Sequence, residues 1–237
     1  MKKLFAIAAA AVLAFSLAAC SGGGADSAGE SSAAKEEGTN VYVTIACAGG
    51  LVVTSEPVGV IDTDEDGAIT VHDVLVCAHE KFFEGGAAAG YAEAETDWGT
   101  SITKLWGDEN GGSYMYYVNN SGAMSLADPV AADDYVAAFS FADLESWSDV
   151  YTYFDSFRAK NSGSIDLVMS QASFDEDWNP VELPVEGATI TIDGAPTEFV
   201  TDANGAVTVT LEAGSHVISA TAPDGMTICP PSCVVTD

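Results

Sequence analysis

The 237 residues carry 36 Asp and Glu against 7 Lys and Arg, a formal charge of −29, with 48% hydrophobic and only 18% charged residues. That much apolar matter can pack a core and excludes disorder throughout, while the shortage of cations excludes nucleic acid as a partner, because phosphate recognition depends on Lys and Arg. At roughly 100–200 residues per domain, the length corresponds to one large or two small domains.

Lys2 and Lys3 precede an apolar run from Leu4 to Ala19, the pattern of an export signal. The run is shorter than the about 20 residues a transmembrane helix needs. Leu17-Ala18-Ala19-Cys20 resembles the lipobox of bacterial lipoproteins. That resemblance implies removal of residues 1–19 and a diacylglyceryl group on Cys20, two acyl chains being enough for stable anchoring. Cleavage would remove two lysines and no acid, taking the charge to −31. So acidic a chain is repelled by an anionic envelope, so the lipid rather than charge must hold it there. The expected location is the bacterial cell membrane, facing the extracellular side. Residues 20–40, rich in Ser, Gly and Ala, read as a lipidated flexible tether spanning on the order of 25 Å.

Val41, Val43 and Ile45 alternate with Tyr42, Thr44 and Ala46, and Gly49-Gly50 leads into Leu51-Val52-Val53-Thr54, a hairpin pattern. From about Thr70 to Phe83, Val71, Val74, Leu75, Ala78 and Phe82 recur at helical spacing and form one apolar face. Gly85-Gly86 ends that helix, and the Ala/Gly stretch to Gly90 reads as a loop. Further strands are expected at 101–106, 114–118 and 135–141. One helix among several strands makes residues 41–158 an α+β domain. From 159 to 237 no helix is expected. Short alternating segments around Ile165, Ile190, Val207 and Val217, with turns at Asp193-Gly194, Asn204-Gly205 and Asp224-Gly225, indicate an all-β sandwich.

Asp62-Thr63-Asp64-Glu65-Asp66-Gly67-Ala68-Ile69-Thr70-Val71-His72-Asp73 places oxygen donors at loop positions 1, 3, 5, 9 and 12 and Gly at 6. It resembles the calcium loop of EF-hands and dockerins. The resemblance implies Ca²⁺ held by Asp62, Asp64 and Asp66, by the Ala68 carbonyl, by Thr70 directly or through water, and by Asp73 closing the site. Pro57 and Gly59 preclude an entering helix, and no second loop is present to pair with it. The same residues also allow a simpler reading, in which Thr70 caps the helix and Asp73 completes a capping box. The two readings are compatible, because a capping box does not account for acids at 62, 64 and 66.

No HExxH or GxSxG pattern occurs, and His72, His79 and His216 have no metal-site spacing, so they read as surface or half-buried residues and the chain is not expected to be an enzyme. Besides Cys20, four cysteines remain. Cys47 with Cys77 and Cys229 with Cys233 can pair within their domains, or all four can stay as thiols. The aromatic residues, among them Trp98, Trp106, Trp147 and Trp178, serve either as core or as a recognition surface.

Leu105-Trp106-Gly107, Tyr116-Tyr117-Val118-Asn119-Asn120 and Asp133-Asp134-Tyr135-Val136 are similar to a domain of unknown function related to the C-terminal β-domain of transcobalamin and intrinsic factor, a match over 41–157. It implies a small β-grasp-like domain, one helix on a sheet, serving as a binding or spacer module. Val185 to Ile190, Thr201 to Gly205 and Leu211 to His216 resemble prealbumin-like or pilin-type sandwiches, an Ig-like arrangement. Together these readings lead to a lipid-anchored, calcium-binding surface protein with a non-catalytic binding or adhesion role, its partner a surface protein, a glycan or a small molecule. The alternative is a receptor for a small ligand such as cobalamin, with Trp106, Tyr116, Tyr117 and Asn119 forming its surface.

Overall fold

The computed structural model describes residues 38–96, 99–109 and 113–237. The signal at 1–19, Cys20, most of the tether and Trp98 lie outside the described residues. The rest is mostly β, arranged in several sheets with two helices.

In chain order, β1 (Thr39–Cys47) and β2 (Gly50–Val60) form the expected hairpin, and α1 (Val71–Phe82) and α2 (Gly86–Gly90) follow. Next come β3 (Ala92–Thr96), β4 (Gly99–Lys104), β5 (Tyr114–Val118), β6 (Ser121–Gly122) and β7 (Tyr135–Ser140). The later part has β8 (Val150–Phe154), β9 (Arg158–Lys160), β10 (Ser164–Phe174), β11 (Pro180–Pro184), β12 (Thr189–Ile192) and β13 (Ala195–Val200). It ends with β14 (Ala206–Thr210), β15 (His216–Thr221), β16 (Ile228–Cys229) and β17 (Cys233–Thr236).

The first sheet has the order β2-β1-β7-β5-β6, with its inner strands β1 and β7 parallel and the β1–β2 and β5–β7 pairs antiparallel. Pro57 is tolerated because β2 is the edge strand, where a missing N–H breaks no ladder. On one face, Val41, Val43, Ile45, Val136 and Ala138 pack beneath α1, which buries Val71, Val74, Leu75 and Ala78 as its spacing predicts. The Ala/Gly stretch expected to be a loop instead forms α2, one short turn of helix. The Ala87 amide donates to Glu80 Oε1 at 3.0 Å, and Gly90 lets the chain lie so close to Phe83 and His79 that a Cβ would come within 2.8 Å of both rings.

The second half consists of two sheets facing each other across their own core, which includes Leu167, Met169, Val209, Ile190, Ile218 and Val235. One sheet runs β11-β10-β8-β16 with β14 also paired to β10, and the other runs β13-β12-β15-β17-β9. β8 lies parallel to β16, and β9 to β17, so two adjacent segments both cross from one sheet to the other. β8 and β9 precede or straddle the expected boundary at 159 yet pair with strands of the second half. Asp193 and Gly194, both at positive φ, make the β12–β13 hairpin turn that Asp-Gly announces. Gly205, also at positive φ, has no alternative, since a Cβ there would collide with the Met169 carbonyl.

Between the halves lies a third core. The face of the first sheet away from α1 contributes Ala46, Tyr117, Tyr135, Ala137 and Phe139, and β8 and β16 contribute Tyr151, Tyr153 and Cys229. The Tyr117 and Tyr151 rings stack at 3.8 Å between centroids. Beside them Thr44, Ser55 and Ser232 join hydroxyls at 3.0–3.4 Å, and Arg158 donates to the Ser55 carbonyl at 2.6 Å while lying over the Tyr42 ring. Every residue of β7 is buried, because both faces of the sheet are covered.

Candidate functional site

The acidic loop enters from β2 and feeds α1. Glu65 and Gly67 adopt left-handed backbone conformations that curl the chain and bring one carboxylate oxygen each of Asp62, Asp64 and Asp66 within 4.8 Å of one another. Loop amides already donate to these side chains: Gly67 to Asp62 Oδ2 at 2.8 Å, Ala68 to Asp66 Oδ1 at 2.8 Å, and Asp66 to Asp62 and Asp64 at 3.2–3.3 Å. Partial desolvation, then the charges of Asp66 and Asp73, raise the Asp64 carboxyl above its ordinary range. A cluster in which one member resists ionisation favours a cation or a proton.

Thr70 and Asp73 are engaged elsewhere. Thr70 is the N-cap, and its hydroxyl and amide both donate to Asp73 Oδ2 at 2.9 Å, while the amide and hydroxyl of Thr63 donate to Oδ1 at 2.6 Å. Burial alone would raise the Asp73 carboxyl, but these bonds outweigh it and hold the group low. The remaining donors of the helix start are also taken: the Val71 amide by the Asp128 carbonyl at 3.1 Å and the His72 amide by the Leu126 carbonyl at 2.9 Å. Of the six residues expected around calcium, the structure therefore gathers three carboxylates and commits Thr70 and Asp73 to the capping box, with Ala68 adjacent on the loop. Hard, anionic oxygen donors on an exposed loop suit Ca²⁺ with water completing the shell.

The four residues of the expected ligand surface are not brought together. Trp106 packs on His79 and Phe83, with ring centroids 5.2 and 5.1 Å away. Tyr116 packs against the α1 core, whereas Tyr117, its neighbour on β5, points to the opposite face and is buried between the halves. Asn119 ties a turn, donating to Asp134 Oδ1 and accepting from the Tyr135 amide. Successive strand residues face opposite sides, so Tyr116 and Tyr117 cannot share a wall. The small cavity beside Tyr116, about 260 Å³ and lined by Ile102, Tyr114, Met115, Ala123 and Met124, is below the usual ligand-pocket range of about 300–1,000 Å³.

All four described cysteines are free thiols, so neither bridge allowed by the sequence forms. Cys229 belongs to the aromatic core between the halves and Cys233 to the core of the second half. Four residues apart in sequence, they serve different layers. Cys47 donates weakly to the Leu105 carbonyl, and Cys77 lies on α1. Burial pushes the thiols of Cys47 and Cys233 up to about 11 and about 12 and raises Cys77 and Cys229 as well, which makes them poor nucleophiles.

The histidines hold structure. His79 is fully buried rather than half-buried, because the α1 face turns it under Trp106 and Tyr91. Its Nδ1 lies 2.6 Å from the Leu75 carbonyl and its Nε2 accepts the Trp106 amide at 3.0 Å, which defines the neutral Nδ1–H tautomer. Burial lowers its pKa below the ordinary 6.5, whereas the hydrogen bond to Asp193 raises that of His216. In a pH titration followed by long-range proton–nitrogen NMR, His216 should therefore take up its proton at higher pH than His79. Parallel titration of the two rings would contradict the assignment. Since the unfolded chain takes up a proton on His79 that the folded chain refuses, this residue's contribution to stability falls as pH drops from about 6.5 toward the folded value. His72 contacts Glu93 at 2.7 Å, close to the Tyr91 hydroxyl.

No known protein family matches this chain, and neither the curated proteins nor the solved structures give a match. Among the described residues no helix is long and apolar enough to cross a membrane.

Proposed function

We propose that this chain is a lipid-anchored surface protein of the bacterial envelope, held through Cys20, which binds calcium and acts as a non-catalytic binding or spacer module. The convergence of Asp62, Asp64 and Asp66 on a loop curled by Glu65 and Gly67 carries the reading. An ion there would neutralise the mutual repulsion of the three carboxylates and fix the loop between β2 and α1, a stiffening rather than a switching role. The β2-β1-β7-β5-β6 order, with parallel inner strands and a helix after the first hairpin, supports a β-grasp-like first half. The two facing sheets of the second half, crossed by β8–β9 and β16–β17, support a prealbumin-like sandwich. A third support is that each histidine is engaged by its own fold.

Extracellular calcium sites bind in the range of about 10⁻⁴–10⁻³ M, so millimolar calcium should give a saturable heat in calorimetry and raise the melting temperature of the full chain by several degrees. Asp62→Ala and Asp66→Ala should abolish both responses. A parent protein giving no heat and no rise in melting temperature would end the calcium reading.

A further inference from the structure

We infer that the end of the second half bearing Trp147 and Trp178 is a docking surface for a cationic, arginine-bearing polypeptide segment. Both tryptophans are displayed to solvent, 64% and 81% exposed. Phe174 pairs with Trp178, ring centroids 6.1 Å apart, and is itself 62% exposed, while Leu144 and Leu183 are partly exposed. Isolated exposed apolar residues are ordinary, but large ones gathered at one end mark an interaction site.

The topology gathers them. β8 and β10 are antiparallel with Thr152 opposite Gln171, so the start of β8 and the end of β10 lie at the same end of the sheet. Trp147 belongs to the loop that enters β8, and Trp178 to the turn that leaves β10 for β11. The two turns share a construction. The Trp147 amide donates to the Asp143 carbonyl and the Trp178 amide to the Asp175 carbonyl, each at 3.1 Å. The Asp143 carboxylate accepts the Glu145 and Ser146 amides and the Ser148 hydroxyl, and the Asp175 carboxylate accepts the Asp177 and Asn179 amides. Both tryptophans sit in the left-handed backbone region, at φ 51° and 62°, which bulky residues rarely adopt.

Charge selects the occupant. Glu145 and Asp149 flank Trp147 within two residues in sequence, Glu176 and Asp177 immediately precede Trp178, and the chain has no Lys or Arg between Glu109 and Phe157 or after Lys160. Two of the fold's own cations stack on other rings, Lys81 on Phe82 and Arg158 on Tyr42. Indole faces beside carboxylates favour guanidinium groups, which combine cation–π stacking with ion pairing, and disfavour anionic surfaces.

This deepens the reading of the chain as a binding module and rests on that part of it alone, needing neither the ion nor the anchor. The test is fluorescence anisotropy of a labelled (Arg-Gly)₅ peptide with the full chain at 150 mM salt and in EDTA, so that the result is independent of the calcium titration. Saturable binding is expected, weakened about tenfold in the double variant Trp147→Ala/Trp178→Ala. That variant keeps every charge and alters only exposed rings, so general attraction to a polyanion would leave its affinity equal to the parent's. Equal affinity, or no saturable binding by the parent, would overturn the inference.

Discussion

Replacing Phe139 by Ala should destabilise the protein by about 3–5 kcal/mol and lower a single unfolding transition rather than one of two. Phe139 lies on β7, is 2% exposed, and contacts Tyr117, Phe141 and Tyr151 at centroid distances of 6.4, 5.3 and 6.3 Å. Removing the ring leaves a cavity between surfaces fixed by two different sheets, so neither half can collapse to fill it. The cost therefore belongs near the upper end of large-to-small substitutions. The same contacts couple the halves, because among the described residues it is β8 and β16 that cover the face carrying Ala46, Tyr117, Ala137 and Phe139. Differential scanning calorimetry of the parent and of Phe139→Ala should each show one cooperative peak. Two resolved peaks, with only one of them moved, would refute the coupling.

Asp73→Ala should destabilise the protein by about 2–4 kcal/mol in EDTA as well as in calcium, measured by chemical denaturation. The carboxylate is 0% exposed and accepts four hydrogen bonds from Thr63 and Thr70. Its loss removes an N-terminal capping box, worth about 0.5–2 kcal/mol, and leaves buried donors unpaired at about 1–3 kcal/mol. A destabilisation seen only with calcium would instead make Asp73 chiefly an ion ligand. Because hydrogen bonding holds this carboxyl below its ordinary range, its ionised form stabilises the fold fully above the unfolded pKa of about 3.9. That contribution disappears as pH falls through the lower folded value. Asp73→Asn should flatten this acid limb while retaining part of the cap.

The cap and the carboxylate cluster divide the twelve-residue acidic loop between them. Asp62, Asp64 and Asp66 alternate on a curled segment and converge on one another. Thr70 and Asp73, three residues apart across the helix start, meet each other instead. Sequence spacing alone fits both arrangements, since positions 9 and 12 of a calcium loop coincide with N-cap and N3 of the helix that follows.

Local rules read from the chain located α1 to within a residue of its observed ends, the β1–β2 hairpin and the Asp193-Gly194 turn, because helical spacing, period-two alternation and positive-φ turn residues act over a few neighbours. The convergence of Asp62, Asp64 and Asp66 belongs to the same class, since it depends on a tight loop and its own glycine. Tertiary packing decided the rest. Tyr42, Thr44 and Ala46 alternate like the solvent side of a strand, yet they face the second half, because covering that side buries more apolar surface than water would leave paired. His79 entered the core and Cys229 and Cys233 parted into separate layers for the same reason: which atoms meet across 100 residues depends on how whole sheets stack. Trp147 and Trp178 stayed outside, in the turns before β8 and after β10.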